Sequence, residues 1–285
     1  MIVRANIVME ALPYLRRFHD KIIVIKYGGA AMQDPELREG VMEDVVMLKY
    51  AGMHPIIVHG GGPEINRALN RKKIESSFIQ GIRVTDGDAI KVVERVLGKK
   101  VNGQIVSLIK KHGGKAKSFY GKKGRVIKAK KLTLHDQWGH PIDLGHVGEV
   151  AGIKYRFLRK IIKKGYIPVI SPIGVGPRGR LYNINADSAA SAIAAFVGAT
   201  KLILLTDVRG VLDKKGELIS KINSKKIHQL IKKKVISGGM IPKANCGLHA
   251  LKNGVDTVHI VDGRVPHAVL LEIFTDEGIG TMVLP

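Results

Sequence analysis

The chain has 285 residues, 45% of them hydrophobic, and carries Lys+Arg 47 against Asp+Glu 24 for a formal net charge of +23. That length and apolar content suffice for a large α/β core, while a single cysteine, Cys246, excludes an intramolecular disulfide framework and a cysteine-based zinc site. No apolar stretch reaches the ~18 residues of a membrane span, and charges between Glu10 and Asp20 interrupt any signal-like core, so a cytoplasmic protein without a membrane partner is expected.

Residues 1–20 space Ile7, Ala11, Tyr14 and Phe18 four, three and four apart, one stripe of a helix bent or restarted at Pro13. Ile22-Ile-Val-Ile-Lys-Tyr-Gly-Gly29 then reads as a strand buried on both faces that runs into a glycine turn. Asp34-Pro35 is an N-cap and first-turn pair for a helix that turns Val41, Val45 and Leu48 inward. Pro55-Ile-Ile-Val-His-Gly-Gly-Gly62 repeats the strand-into-glycine pattern, and Pro63 opens another helix. A strand–helix–strand unit of this spacing is a parallel crossover, so both glycine turns emerge at one sheet edge. Glycines there permit positive φ and bring successive N–H groups close to an anion, and Lys26 adds a point charge. This is a phosphate-handling layout. Lys26 as an ordinary surface lysine is the alternative, although it follows four aliphatics and precedes two glycines.

Ile74 to Thr85 looks extended and carries Arg83 near its end, and Asp86 to His112 reads as a long helix weakened by Gly98 and Gly103. Lys115 to Val150 suggests short hairpins. Lys99 to Lys131 holds twelve basic residues and no acidic one, and a second basic cluster runs from Lys221 to Lys234. Little aromatic interleaving and no recognised DNA- or RNA-binding signature accompany them, so specific nucleic-acid binding is not expected. The positive field draws polyanions, nucleotides and carboxylates in general. A helix at 154–164 leads to a strand at 166–170. Gly174, Gly176 and Gly179 match G-x-G-x-x-G, but the extended Arg180-Leu-Tyr follows where a dinucleotide site needs a helix, so they read as a loop. Helices at 187–198, 224–234, 241–252 and 266–274 alternate with strands at 201–206, 255–261 and near Met282. The expected fold is an open three-layer αβα sandwich with a mainly parallel central sheet, in lobes 21–178 and 179–285 behind an N-terminal helix over 1–20.

Asn183-Ile-Asn-Ala-Asp187 stands ahead of an alanine-rich helix, Leu204-Leu-Thr-Asp-Val-Arg-Gly210 ends a buried strand, and Gly238-Gly-Met-Ile-Pro-Lys243 sets a lysine at a helix start. Each has a plainer reading: Asp187 as an N-cap, Lys243 as a surface lysine, Arg83 in a surface ion pair. Together they form a phosphoryl-transfer set without a general base. That suits a carboxylate acceptor, which with a pKa near ~4.3 is already ionised and needs only positioning and charge compensation. Arg83 could hold a substrate carboxylate bidentately.

The order K-Y-G-G, H-G-G-G-P, G-I-R-V-T, N-I-N-A-D, L-L-T-D-V-x-G-V and G-G-M-I-P-K, spread over residues 10–284, resembles the amino-acid kinase family. The resemblance implies phosphorylation of the side-chain carboxylate of N-acetyl-L-glutamate by ATP in arginine biosynthesis, with acetylglutamate in the N-terminal lobe and MgATP in the C-terminal one. By it, Lys26 and Lys243 stabilise the transition state and Asp187 orients both. Backbone N–H groups around Gly28, Gly29, Gly61 and Gly62 cradle the phosphoryl group. Arg83 and Asn183, with Gly61 and Gly62, bind the substrate, and Thr206, Asp207 and Gly210 border the nucleotide. Mg2+ is held mainly through the phosphates, with no metal site of protein ligands.

Ala11 to Phe18 further resembles the extra helix of arginine-inhibited ring-shaped hexamers of this family, trimers of dimers. Tyr14, Arg17, Lys201, His259, Glu272 and Gly278 would then serve L-arginine as effector residues, although His259 alone reads as a core histidine. The basic surface leaves open a partner such as a nitrogen-signalling protein. The alternatives are a kinase for a homologous substrate such as an aminoadipate derivative, or a non-catalytic polyanion-binding or regulatory protein of the same fold. At Gly121-Lys-Lys-Gly124 the chain departs from the G-K-D-G of relatives, which touches a loop conformation rather than the reaction.

Overall fold

A computed structural model of the protein describes residues 9–285, so Ile7, the first position of the N-terminal stripe, lies outside the described residues. Leu12–Phe18 is helical with Pro13 in its first turn, where the missing N–H has no intrahelical partner to lose.

The centre is an eight-stranded sheet made of β1 (Ile22–Tyr27), β2 (His54–His59), β3 (Ala116–Phe119), β4 (Ile167–Ile170), β5 (Lys201–Thr206), β6 (Lys221–Asn223), β7 (Thr257–Asp262) and β8 (Thr281–Leu284). Their spatial order is β6-β8-β7-β5-β1-β2-β4-β3. Only β7 and β8 pair antiparallel; every other neighbouring pair is parallel. Because successive side chains of a strand point to opposite faces, the sheet sorts its own core. Ile23, Ile25, Tyr27, Ile203 and Leu205 pack on one side with Val41, Met42 and Val45 of helix Pro35–Tyr50. Val24, Ile56, Val58, Leu202 and Leu204 pack on the other with Ala189, Ala190 and Ile193 of helix Ala186–Val197. This is the expected three-layer α/β sandwich. Asp34 caps the first of those helices by accepting from the N–H groups of Glu36 and Leu37.

Two expectations need amendment. The segment read as hairpins is divided, because Ala116–Phe119 joins the main sheet in parallel with β4, as its edge strand. The rest of the segment does pair antiparallel, Ile127–Lys131 with Gly148–Ile153 and Leu134–His135 with Pro141–Ile142. The long helix from Asp86 is also composite: α-helical over Gly87–Val93, π-helical over Glu94–Val101 and α-helical again over Asn102–Lys111. Gly98 lies in this π turn, where a side chain is excluded because a Cβ would stand 2.4 Å from Tyr120 Cδ2. The Gly174/Gly176/Gly179 match is the tip of an antiparallel hairpin, Ile173–Val175 with Leu181–Asn183, as its extended flank indicates. None of the described helices is long and apolar enough to cross a membrane.

Candidate active site

β1 and β2 run in register, Lys26 beside Val58 and Tyr27 beside His59, so both glycine turns leave the same edge of the sheet. Gly29 has φ +69 and Gly61 φ +147, backbone regions that favour glycine. A Cβ would stand 2.1 Å from Asp207 Oδ1 at the first and 2.6 Å from Leu97 Cδ2 at the second. Asp207 also accepts the N–H of Ala30, so its carboxylate braces the first turn from the end of β5. The turns are tied to each other as well: Gln33 Nε2 donates to Glu64 Oε1 at 2.9 Å, a link between the helices that follow them.

Lys26 shares the parity of Val24, so alternation sends it to the face covered by helix Ala186–Val197, where Asp187 lies in the first turn. Its Nζ pairs with Asp187 Oδ1 at 3.0 Å, and Lys243 Nζ, from helix Met240–Lys252, donates to Oδ2 at 3.0 Å. The capping role weighed for Asp187 belongs to Asn185, whose side chain accepts from Ser188 N–H at 3.0 Å. Burial alone would raise the Asp187 carboxyl, but the charges of Lys26 and Lys243 outweigh it and hold the group below the ordinary carboxylate range. Lys26 and Asp187 line a cleft of about 170 Å³ together with the glycines of both turns, and Lys243 is joined to it through Asp187. Nζ of Lys26 reaches back over the first turn, 2.9 Å from where a Gly28 Cβ would sit. Such a cleft offers ammonium groups and backbone N–H groups to one anion.

Arg83 is buried on the short strand Ile82–Arg83, donating to Ser76 Oγ and, at 2.5 Å, to Asn66 Oδ1, with its guanidinium 4.7 Å from the Phe78 ring centre. Asn183 is joined to the same segment, since its Nδ2 donates to Thr85 Oγ1 at 3.3 Å and that hydroxyl donates to Arg83 O at 3.0 Å. Thr206 is buried at the end of β5. Gly210, at φ +145, closes on Thr281, whose Oγ1 would stand 2.6 Å from a Cβ there.

The remaining sequence candidates gather at the other end of the sheet. His259 is fully buried between Glu272 and Lys201, its Nδ1 2.5 Å from Glu272 Oε1 and its Nε2 3.0 Å from Lys201 Nζ. Glu272 Oε2 accepts the N–H groups of Ile279 and Gly280 at 2.9 and 3.2 Å. Gly278, at φ +62, leaves room for that carboxylate, which lies 2.8 Å from the place of its Cβ. Tyr14 packs edge-on against Phe274, and Lys201 Nζ lies 5.0 Å from the Phe18 ring centre. Burial pushes the Lys201 ammonium down to about 8, with Glu272 opposing and Arg17 adding to the shift. Arg17, Tyr14, Lys201, Glu272 and Gly278 line one open cavity of about 440 Å³. Sequence reasoning missed Gln33, Glu64, His59 and Asn102 around the glycine turns; the glycine spacing gave their neighbourhood but not their contacts.

A mainly parallel αβα sheet with paired glycine turns and a Lys–Asp–Lys cluster at the carboxyl ends of its strands has the form of a phosphoryl-transfer enzyme. Residues 21–262 match the model of the Amino acid kinase family, and the chain belongs to that family. It is 52% identical to the acetylglutamate kinase of Heliobacterium modesticaldum over 99% of this chain and 98% of that protein. It is 51% identical to the acetylglutamate kinase of Syntrophobacter fumaroxidans over 100% of this chain and 97% of that one. The same fold occurs in the crystal structure of N-acetylglutamate synthase from Neisseria gonorrhoeae, with a TM-score of 0.86 at 22% identity over 99% of this chain; the chain spans 63% of that protein's length.

Proposed function

We propose that the protein transfers the γ-phosphoryl group of ATP to the side-chain carboxylate of N-acetyl-L-glutamate, forming N-acetyl-L-glutamyl 5-phosphate for arginine biosynthesis. The observation that carries this reading is the buried Asp187 carboxylate bridging two lysines at 3.0 Å each beside a glycine-lined cleft, in a chain about half identical to acetylglutamate kinases over its full length. A carboxylate oxygen of the substrate attacks the γ-phosphorus, the bond from that phosphorus to the β-phosphate bridging oxygen breaks, and ADP leaves with the electron pair. No proton is transferred in that step, which fits a site with two ammonium groups and no general base.

In this reading Lys26 and Lys243 neutralise charge that spreads over the phosphoryl oxygens, Asp187 holds both lysines in place, and N–H groups of Gly28, Gly29, Gly61 and Gly62 complete the cradle. Arg83 exchanges its neutral Ser76 and Asn66 partners for the substrate α-carboxylate, a stronger charge-assisted pair, with Asn183 beside it. Thr206, Asp207 and Gly210 border the nucleotide, so residues 21–178 form the acetylglutamate lobe and 179–285 the ATP lobe. ATP enters with Mg2+. Both Asp187 oxygens face lysines, so the phosphates themselves would hold that ion.

The finer reading adds a cytoplasmic enzyme that is a trimer of dimers joined through the N-terminal helix and inhibited by L-arginine. Its support is the gathering of Tyr14, Arg17, Lys201, Glu272 and Gly278 around one cavity, with His259 behind them. The basic surface, net charge +23, is where a nitrogen-signalling protein would meet the enzyme. Arginine titration and sedimentation of the full-length protein test this half; a dimer indifferent to millimolar arginine refutes it.

The reaction itself is tested by hydroxylamine trapping with ATP and a panel of acidic amino acids. Hydroxamate from N-acetylglutamate is the expected result. Hydroxamate only from an aminoadipate derivative, or none, would overturn the assignment.

A further inference from the structure

Beneath the second glycine turn lies a buried polar pair that the reaction scheme above does not use. His59, the last residue of β2, is fully buried, with Nδ1 2.8 Å from Gly60 O and Nε2 3.1 Å from Asn102 Nδ2. Asn102 is equally buried, and its Nδ2 also stands 3.0 Å from the Val169 carbonyl. A carbonyl only accepts, so the amide nitrogen of Asn102 must face Val169, and in that orientation it donates to His59 Nε2. An imidazole whose Nε2 accepts carries its proton on Nδ1. That N–H therefore donates to the Gly60 carbonyl.

Gly60 is held from its other side too, its N–H donating to Tyr27 O at 2.8 Å. Across a planar trans peptide, the Gly60 carbonyl and the Gly61 N–H point in opposite directions. Drawing the carbonyl toward the His59 ring turns the Gly61 N–H away from that ring, and Gly61 lines the cleft. A glycine–glycine peptide has little intrinsic preference to hold this orientation, and a flipped one would present a carbonyl oxygen to the phosphoryl oxygens instead of a donor.

We infer that His59 is a positioning residue for phosphoryl transfer: its neutral imidazole, oriented by Asn102, locks the Gly60–Gly61 peptide so that the Gly61 N–H faces the transferred group. This rests on the functional reading above. Two further observations agree with it. Burial pushes the imidazole pKa down to about 4, against the opposing pull of the Gly60 carbonyl and the Glu64 charge, so the ring stays neutral across the working range. The π-helical turn over Glu94–Val101 also ends immediately before Asn102 and sets Leu97 and Val101 under Gly61, 2.6 and 3.5 Å from the place of its Cβ. Such π turns insert a residue locally and recur at functional sites.

The test pairs two substitutions with one spectrum. His59→Asn places an amide N–H near the position of Nδ1, whereas His59→Gln reaches the position of Nε2 and leaves Gly60 without its donor. The Gln variant should lose about 10- to 100-fold in kcat, with both KM values within about threefold, and the Asn variant should recover to within about threefold of wild type. In the 15N spectrum of the full-length wild-type protein, His59 should show a protonated Nδ1 and a bare Nε2, unchanged from pH 6 to 9. A Gln variant with wild-type kcat, equal losses in both variants, or an Nε2–H or imidazolium form of His59 would each overturn the inference. Failure of the functional reading is distinguishable, because it is a wild-type protein that traps no hydroxamate, while the tautomer is still decided by the spectrum.

Discussion

Asp187 and Glu272 are buried carboxylates at opposite edges of the same sheet, and their oxygens are paired in different ways. At the carboxyl end of β1, each Asp187 oxygen faces a lysine ammonium at 3.0 Å. At the amino ends of β5 and β7, Glu272 is held by the His259 ring and by the backbone N–H groups of Ile279 and Gly280. An ammonium has three donors, so each lysine can give one to Asp187 and direct others at a phosphoryl group. A backbone N–H has one, and Glu272 takes it. In the proposed mechanism the first arrangement acts on an anion in the cleft; the second fastens the loop before β8 to helix Ala268–Ile273. On that proposal, similar residue types make a reactive site or a clasp according to how many donors are left over.

The contrast breaks first at the lysines. Lys26→Met and Lys243→Met should each lower kcat by about 10² or more with smaller changes in acetylglutamate KM, because their charge matters most in the transition state. Near-normal turnover in either folded variant would remove the distinction between the two carboxylates. Arg83 sharpens it, being satisfied internally like Glu272 yet assigned to substrate. Arg83→Lys should raise the acetylglutamate KM by about tenfold and leave that of ATP in place, since lysine lacks the planar two-donor fork; a rise in the ATP constant alone would put Arg83 in the other half-site.

The smallest effect is in pH. Burial lowers the Lys201 pKa to about 8 in the folded protein, from ~10.4 in the unfolded chain. The folded state therefore sheds this proton first, so the cost of burying the charge is full below pH 8 and is relieved as pH rises from 8 toward 10.4. Measured against Lys201→Met, wild-type Tm should improve across that window. A flat difference would show that Lys201 keeps its charge as firmly as a solvated lysine.

Much of this was legible in the sequence where the signal is local. Four aliphatics running into Lys-Tyr-Gly-Gly and Ile-Ile-Val-His running into three glycines announce buried parallel strands with both glycine turns at one edge, and both strands formed in register. Contacts between residues far apart in sequence were not legible. Ala116–Phe119 looks like hairpin material until β4, some fifty residues on, arrives as its parallel partner. The link between Asn102 and His59 spans 43 residues and depends on a π turn that no hydrophobic spacing encodes. Asp187 and Asn185 are both acceptable caps by composition; only the packing of Lys26 and Lys243 against the first assigns the cap to the second.

The most direct test compares acyl-phosphate formation, read as hydroxamate, in purified and folded Asp187→Asn and Glu272→Gln proteins under saturating ATP and N-acetylglutamate without arginine. The account predicts a loss of at least about 30-fold for Asp187→Asn and a rate within about threefold of wild type for Glu272→Gln. Equal rates in the two variants, or a greater loss at Glu272 than at Asp187, would contradict it.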